Sequence, residues 1–161
     1  MKLKQIVFDY YVLIALVALA VAFTFIPGAR TNAQAIALLV GTAVSFVFLV
    51  QKQKLQEVEL FRTLFIEFTE RYDDRNEKLQ DVLDGDQNKP LTRAEKNTLS
   101  DYFNLCAEEY LFYKQGYIHP KVWRAWRNGM QIYFANRRIK DFWHDEQKTE
   151  SYYDFSPFEA P

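Results

Sequence analysis

The 161-residue chain is poor in the residues on which cross-linking and most catalysis depend, with one cysteine and two histidines. A single cysteine excludes a disulfide scaffold and agrees with a reducing compartment. There is no glycine-rich phosphate loop, and no His-Glu-x-x-His, Glu-x-x-His or Cys-x-x-Cys spacing. We therefore expect no cofactor, no metal site, no catalytic residues and no enzyme.

Charge is nearly missing from the first fifty residues, which hold only Lys2, Lys4, Asp9 and Arg30 out of 20 basic and 21 acidic residues. The later residues carry all the other charges, so the two parts of the chain are suited to different solvents. Aromatic residues make up 17% of the chain, which excludes a disordered protein. The division predicts a transmembrane helical hairpin over residues 1–50 and a cytoplasmic helical domain with an aromatic tail over residues 51–161.

Two uncharged stretches, residues 10–27 and 33–50, are each just long enough to cross a bilayer. The turn-forming residues 27–32 between them predict the tip of a hairpin. Cations at Lys2 and Lys4 and at Lys52 and Lys54 predict that both ends of the hairpin are cytoplasmic. The alternative is a signal peptide with a weak cleavage site near Ala33, and the second span would still leave the later residues in the cytoplasm.

No glycine or proline occurs between the second span and Gly85, so we expect the helix to continue from Gln51 to about Leu83. Apolar residues recur along it at spacings of three and four, which predicts an apolar seam. Two alternatives stay open: packing on later helices of the same chain, or a coiled-coil-like interface with a second copy. The seam residues are Val58, Phe61, Phe65, Phe68, Tyr72, Leu79 and Val82.

Three further segments complete an all-α expectation. Residues 84–90 break the long helix, and a Thr92–Glu95 capping box predicts a helix from Arg93 to about Gln115. Gly116 is expected to end it, and Pro120 to begin a third helix that runs on, with a bend, to Trp143. The aromatic residues 151–158 are expected to form a strap on the bundle. No stretch shows the alternation of a strand.

The charges of the cytoplasmic part are unevenly distributed. Residues 67–86 hold eight acids and three bases, whereas residues 121–140 hold six bases and no acid, interleaved with aromatic residues. The basic segment could pair with the acidic helix, lie on anionic lipid headgroups, or contact an acidic partner; the net negative charge argues against nucleic acid. The predicted partner or membrane surface comprises Lys121, Trp123, Arg124, Trp126, Arg127, Arg137 and Arg138.

Three isolated polar groups have a structural and a functional interpretation. His144 lies at helical spacing from Asp141 and Asp145, and we favour a surface polar cluster over a metal site. His119 precedes Pro120 and is expected to cap or fill the corner there. Cys106 falls on the apolar face of its helix and is expected to be a core residue, not a nucleophile.

Residues 101–130, DYFNLCAEEYLFYKQGYIHPKVWRAWRNGM, carry a Glu-Glu pair, a Gly-Tyr-Ile corner and a tryptophan-rich helix. This segment resembles small uncharacterised bacterial membrane proteins with two N-terminal spans and a helical cytoplasmic domain. Some of these look like abortive-infection or retron-linked phage-defence effectors. The resemblance implies a bacterial inner membrane and brings no catalytic residues with it.

Three functional hypotheses follow. The first is a non-enzymatic membrane effector whose cytoplasmic helices sense a partner or form a homo-oligomer and act on the lipid bilayer. The alternative is a membrane anchor or regulatory subunit that recruits a soluble protein through the basic aromatic helix. An enzyme acting near the membrane, centred on His144, is the weakest of the three.

Overall fold

The computed structural model describes residues 2–26 and 32–158, with side chains described from Ile6 onward. Within these ranges the chain is all-α and contains no strand, as the sequence predicted. The five helices are α1 (Lys2–Phe25), α2 (Ala33–Asp84), α3 (Arg93–Lys114), α4 (Pro120–Phe134) and α5 (Arg137–Gln147). Three shorter helices therefore follow the long one.

The chain divides into two compact units, Met1–Glu59 and Leu60–Pro161, and α2 contributes residues to both. The division expected from charge alone was at residue 50, because charge marks where the apolar stretch ends. The helix itself continues without interruption past that point. The boundary between the units falls within α2, between Glu59 and Leu60, because the residues on either side of it contact different parts of the chain.

In the first unit, α1 and the N-terminal part of α2 contain the apolar stretches. Within the described residues, two helices are long and apolar enough to cross a membrane, Ile6–Phe25 and the N-terminal part of α2. The Lys54 ammonium donates to the Phe8 carbonyl oxygen at 2.6 Å and lies 5.2 Å from the centre of the Tyr11 ring. Asn32 caps α2 by accepting a hydrogen bond from the Gln34 amide at 2.9 Å. Residues 27–31 of the predicted hairpin tip, and the side chains of Lys2 and Lys4, lie outside the described residues.

In the second unit, α3 packs against both α4 and α5 and supplies much of the core. The predicted capping box at its start is confirmed: the Thr92 hydroxyl accepts from the Glu95 amide, and the Glu95 carboxylate accepts from the Thr92 amide. Gly116 ends α3 with a φ of 82°, the left-handed conformation that a glycine adopts without strain. His119 caps α4, as one of its expected roles, by accepting from the Lys121 amide at 3.1 Å.

The third cytoplasmic helix differs from the expectation, because it ends at Phe134 and α5 begins as a separate helix at Arg137. Asn136 adopts an extended conformation, and its side-chain oxygen accepts from the amides of Arg138 and Ile139. An asparagine favours this cap over a helix interior because its side chain replaces the missing backbone acceptor. The break allows α4 and α5 to pack on each other.

The aromatic tail lies on the bundle in the strap-like manner expected from its sequence. Tyr152 and Phe155 are buried, with ring centres 5.0 and 5.5 Å from that of Trp143. Phe155 also lies 5.7 Å from Tyr110 on α3. The tail therefore completes the core instead of hanging free.

Candidate functional site

The residues of the predicted seam do not share one environment. Phe68 is buried, with its ring centre 5.7 Å from that of Phe112 and 5.9 Å from that of Trp126. Phe61 and Tyr72 are half-buried, and Leu79 and Val82 are buried. This part of the seam packs on later helices of the same chain, which was one of the two alternatives.

Other apolar side chains of α2 face outward. Leu55 and Val58 are 69% and 65% exposed, and Phe65 and Ile66 are 39% and 43% exposed. Phe65 touches α4 on one side, where its ring stacks on Trp126 at 5.7 Å. We call Leu55, Val58, Phe65 and Ile66 the outer apolar residues of α2; Leu60, which is 40% exposed, is a further exposed apolar side chain of this part of the helix.

The basic aromatic surface predicted on residues 121–140 is smaller than expected. Trp123 and Arg138 are buried, and Trp126 and Arg127 are half-buried, so these four do not form an open surface. Trp123 faces inward because it stacks on Tyr113 at 5.2 Å and meets Tyr110 at 5.7 Å. Lys121, Arg124 and Arg137 are exposed, as is Ile132, which is 65% exposed on the outer face of α4.

Arg138 is held in the interior by an ion pair. Its Nη2 atom lies 2.7 Å from Oε1 of Glu95, the same carboxylate that closes the capping box of α3. Burial opposes ionisation of Glu95, but hydrogen bonds from Thr92 and Arg138 outweigh it and hold the pKa of this carboxyl below its ordinary value. This pair connects the start of α5 to the start of α3.

The acidic and basic segments do not neutralise each other. In the part of the chain that the structure describes, no ion pair joins an acid of residues 67–86 to a base of residues 121–140. Arg71 instead pairs with Glu108 at 2.6 Å, and its pKa is raised chiefly by this hydrogen bond. The internal-pairing interpretation of the basic segment is therefore wrong for these residues.

Two polar groups of the core lie on α3 and were only partly foreseen. Cys106 is fully buried, as expected, and burial raises the pKa of its thiol. Glu109 is also buried, and burial raises its pKa to about 8, although Arg71 acts in the opposite direction. A buried Glu109 was not expected. The spacing of three and four that connects Tyr102, Cys106, Glu109 and Tyr113 was the available signal.

A hydrogen-bonded group joins α2 to α4. The hydroxyl groups of Tyr72 and Tyr133 are 2.9 Å apart, and the Gln80 amide donates to the Tyr133 oxygen at 3.1 Å. Asn76 Oδ1 lies 3.3 Å from each hydroxyl oxygen and accepts from the hydroxyl that does not donate to the other tyrosine. These bonds satisfy polar groups at the helix contact, and they fix the register of α4 along α2.

The two aspartates of the predicted polar cluster around His144 form ion pairs with other residues. Asp141 lies 3.7 Å from Arg137, and Asp145 lies 2.6 Å from Lys148. His144 is exposed, with its ring 5.9 Å from that of Phe158. Within the described residues, no group of three or more histidine, cysteine, aspartate or glutamate side chains is arranged to hold a metal ion.

An open cavity of about 580 Å³ lies beside the loop before α3 and the start of α5. Its charged lining includes both signs, and Lys89 and Arg137 lie within 3.8 Å of Asp86 and Asp141, respectively. The lining holds four bases and two acids, and a third base of the lining, Arg138, is paired with Glu95.

Comparison of the chain with protein-family models, with curated proteins and with solved structures finds no match.

Proposed function

We propose that this chain is a non-enzymatic bacterial inner-membrane protein that forms a homo-oligomer through the outer apolar residues of α2. The exposure of Leu55, Val58, Phe65 and Ile66 carries the proposal. Leu55 and Val58 lie about one helical turn apart in the first unit, and Phe65 and Ile66 are neighbours in the second. Exposed large apolar side chains that lie close together are typical of a contact surface, because their burial is favourable by about 25 cal/mol per Å².

The membrane part of the proposal is supported by the two helices that are long and apolar enough to cross a bilayer. The non-enzymatic part is supported by the environment of the polar side chains. Cys106 is buried, and Asp141 and Asp145 are each close to a cation rather than to His144. A nucleophile needs an adjacent base and an accessible position, which Cys106 does not have.

In this proposal, association through α2 brings the hairpins of several copies together. Several hairpins in one place could then perturb the bilayer, which is the activity that an abortive-infection effector needs. One hairpin offers few polar side chains for an ion path, so the proposed action on the membrane requires more than one copy.

Light scattering of the detergent-solubilised full chain, with the detergent contribution subtracted, tests the proposal. We expect a defined oligomer for the natural sequence and a smaller particle for the Leu55→Glu, Val58→Glu double variant. Thr69→Glu, at another exposed position of α2, is the matched control and should keep the oligomer. Phe68 is unsuitable for this test because its replacement by Glu would place a charge in the core.

A monomer for the natural sequence, or equal particle masses for all three proteins, would contradict the proposed oligomer. Alkaline carbonate extraction of membranes is a separate test of insertion. A protein released by carbonate would contradict the membrane part.

A second candidate function, a membrane anchor that recruits a soluble partner, is favoured by the exposed Ile132 beside the cations of α4. A monomeric membrane protein that copurifies with a stoichiometric partner, and loses it on Ile132→Glu substitution, would support this candidate. It would then replace the homo-oligomer.

A further inference from the structure

The register of α4 along α2 is fixed by contacts at two levels. The Trp126 ring lies 5.7 Å from that of Phe65 and 5.9 Å from that of Phe68. Seven residues later on α4, Tyr133 bonds to Tyr72 and Gln80. Both helices therefore run in the same direction, and the residues that precede Trp126 lie toward Leu60, where α2 enters the second unit.

α3 runs in the opposite direction to α2 and ends at the same level. Glu108 pairs with Arg71, whereas Phe112 lies beside Phe68, so a later residue of α3 meets an earlier residue of α2. The connection from α3 to α4 is consequently at the Leu60 end of the second unit. We call residues 114–124 the α3–α4 corner.

The α3–α4 corner is cationic and exposed. Lys114, Lys121 and Arg124 are exposed, and within the described residues none of the three takes part in an ion pair. Tyr117, at the tip, is 44% exposed. The sequence contains no aspartate or glutamate from Tyr110 to Lys140, so nothing along this segment cancels the positive charge.

The part of α2 at the same level adds no negative charge. Residues 60–66 contain one charged side chain, the exposed Arg62. Glu67 follows, and it lies 3.8 Å from Arg71. The other exposed acids of α2 in the second unit come later, toward its other end, at Glu70, Asp73, Asp74, Glu77, Asp81 and Asp84, whereas the exposed Glu59 and the half-buried Glu57 precede Leu60 and belong to the first unit.

The Leu60 end of the second unit is also the end attached to the apolar stretch. The α3–α4 corner therefore lies at the end of the second unit where the chain enters from the apolar stretch, and the acids of α2 from Glu70 onward lie toward the other end.

We propose that the α3–α4 corner binds the anionic headgroups of the leaflet from which α2 emerges, through Lys114, Lys121 and Arg124, with Tyr117 at the interface. This inference rests on the proposed membrane insertion. Each cation near an anionic leaflet strengthens association by roughly fivefold, and tyrosine is enriched at membrane surfaces. A lipid surface is favoured over the acids of a second copy from Glu70 to Asp84, because those acids lie at the other end of the unit.

The test places a fluorophore on the full chain in vesicles. Cys106 is fully buried, so a cysteine introduced at the exposed Gln115 can be labelled selectively, and one at the exposed Asn88 serves as the control site in the loop before α3. The probe is a lipid with a spin label on its headgroup, which quenches nearby fluorescence. The vesicles are made of phosphatidylcholine alone or with phosphatidylglycerol added.

We expect quenching at Gln115 to increase when phosphatidylglycerol is present, and quenching at Asn88 to stay the same. The Lys121→Glu, Arg124→Glu double variant should lose this increase, and salt at 1 M should weaken it because the Debye length falls to about 3 Å. Arg137→Glu with Lys140→Glu, a matched pair of exposed cations on α5, should keep it. Circular dichroism should show the same helix content for each protein.

Equal quenching at Gln115 in both kinds of vesicle would overturn the inference. Quenching that depends on the protein-to-lipid ratio and not on phosphatidylglycerol would also overturn it. That result would mean that the cations of the corner contact another copy of the chain. Carbonate extraction separates this failure from that of the proposed function. An inserted protein with an unresponsive corner contradicts only the headgroup contact.

Discussion

Glu109 shows how the environment of one residue sets its chemistry. A glutamate next to another glutamate on a helix normally stays ionised, but this side chain is buried beside Cys106 and Tyr102 on the inner face of α3. Burial favours the neutral acid and raises its pKa to about 8, whereas the neighbouring Glu108 stays at the surface with Arg71. Two charged neighbours act on the pKa of Glu109 in opposite directions: Arg71 lowers it and Glu108 raises it.

We expect Glu109 to make the second unit less stable as the pH rises. The unfolded carboxyl has an ordinary pKa of 4.5, so between this value and about pH 8 the folded state binds more protons than the unfolded state. The free energy of unfolding then falls with pH, by about 1 kcal/mol per unit over this interval. The stabilisation that the neutral Glu109 provides is complete below its unfolded-state pKa of 4.5. It is lost as the pH rises through about 8, the pKa of Glu109 in the folded state.

Urea unfolding of the detergent-solubilised chain, followed by tryptophan fluorescence, measures this effect, because Trp123, Trp126 and Trp143 all lie in the second unit. Glu109→Gln should flatten the pH dependence and be more stable than the natural chain at pH 9. Glu67→Gln, at an exposed position, is the control and should retain the slope. Parallel pH profiles for all three proteins would show that Glu109 ionises freely.

At the scale of elements, the break between α4 and α5 decides how the second half of the unit packs. Phe134 ends α4 against Phe103 at 5.4 Å, and Trp143 on α5 meets the same ring at 4.9 Å. A single straight helix would carry these two side chains about 13 Å apart along its axis. The Asn136 cap allows both to contact Phe103.

Asn136→Ala should therefore destabilise the second unit by about 1 kcal/mol, the usual effect of removing a helix N-cap. The loss arises because the amides of Arg138 and Ile139 would lose their acceptor in a buried position. Asn128→Ala is the matched control, since Asn128 is exposed within α4 and alanine is the better helix former there. Equal or reversed changes in urea unfolding would argue against the cap as the reason for the break.

For the whole molecule, the two units differ in what stabilises them. The first contains two helical stretches that are long and apolar enough to cross a membrane, with most of their large side chains exposed. The second has its own buried core, which runs from Leu64 on α2 to Phe155 in the tail. A core contained within one segment of about 100 residues is sufficient for independent folding.

We expect residues 51–161, produced alone, to fold in water into a helical protein with one cooperative unfolding transition. Circular dichroism and urea denaturation would measure it, and an m-value near 1 to 3 kcal/mol/M would indicate the exposure of a single core. Deleting residues 151–158 from this segment should lower its stability, since Tyr152 and Phe155 would leave the core. A segment without a cooperative transition would mean that the second unit requires the first.

Much of this fold could be predicted from local signals. The long helix, the capping box at Thr92, the stop at Gly116 and the cap at His119 depend on residues within one turn of each other. The break at Asn136 was missed because the apolar spacing continues across it. The inward positions of Trp123 and Arg138 were missed because composition describes a segment and cannot tell which side of a helix a neighbour will cover.

The sequence by itself determined which segments are apolar, where most helices begin and end, and that the second part has enough apolar residues for a core. Only the tertiary structure decided which cations remain exposed, that Glu109 is buried, and that the α3–α4 corner lies at the Leu60 end of its unit. The physical reason is range. Caps and apolar runs act between neighbours in the chain, whereas burial and electrostatic environment are produced by residues that are distant in sequence and meet only when the helices pack.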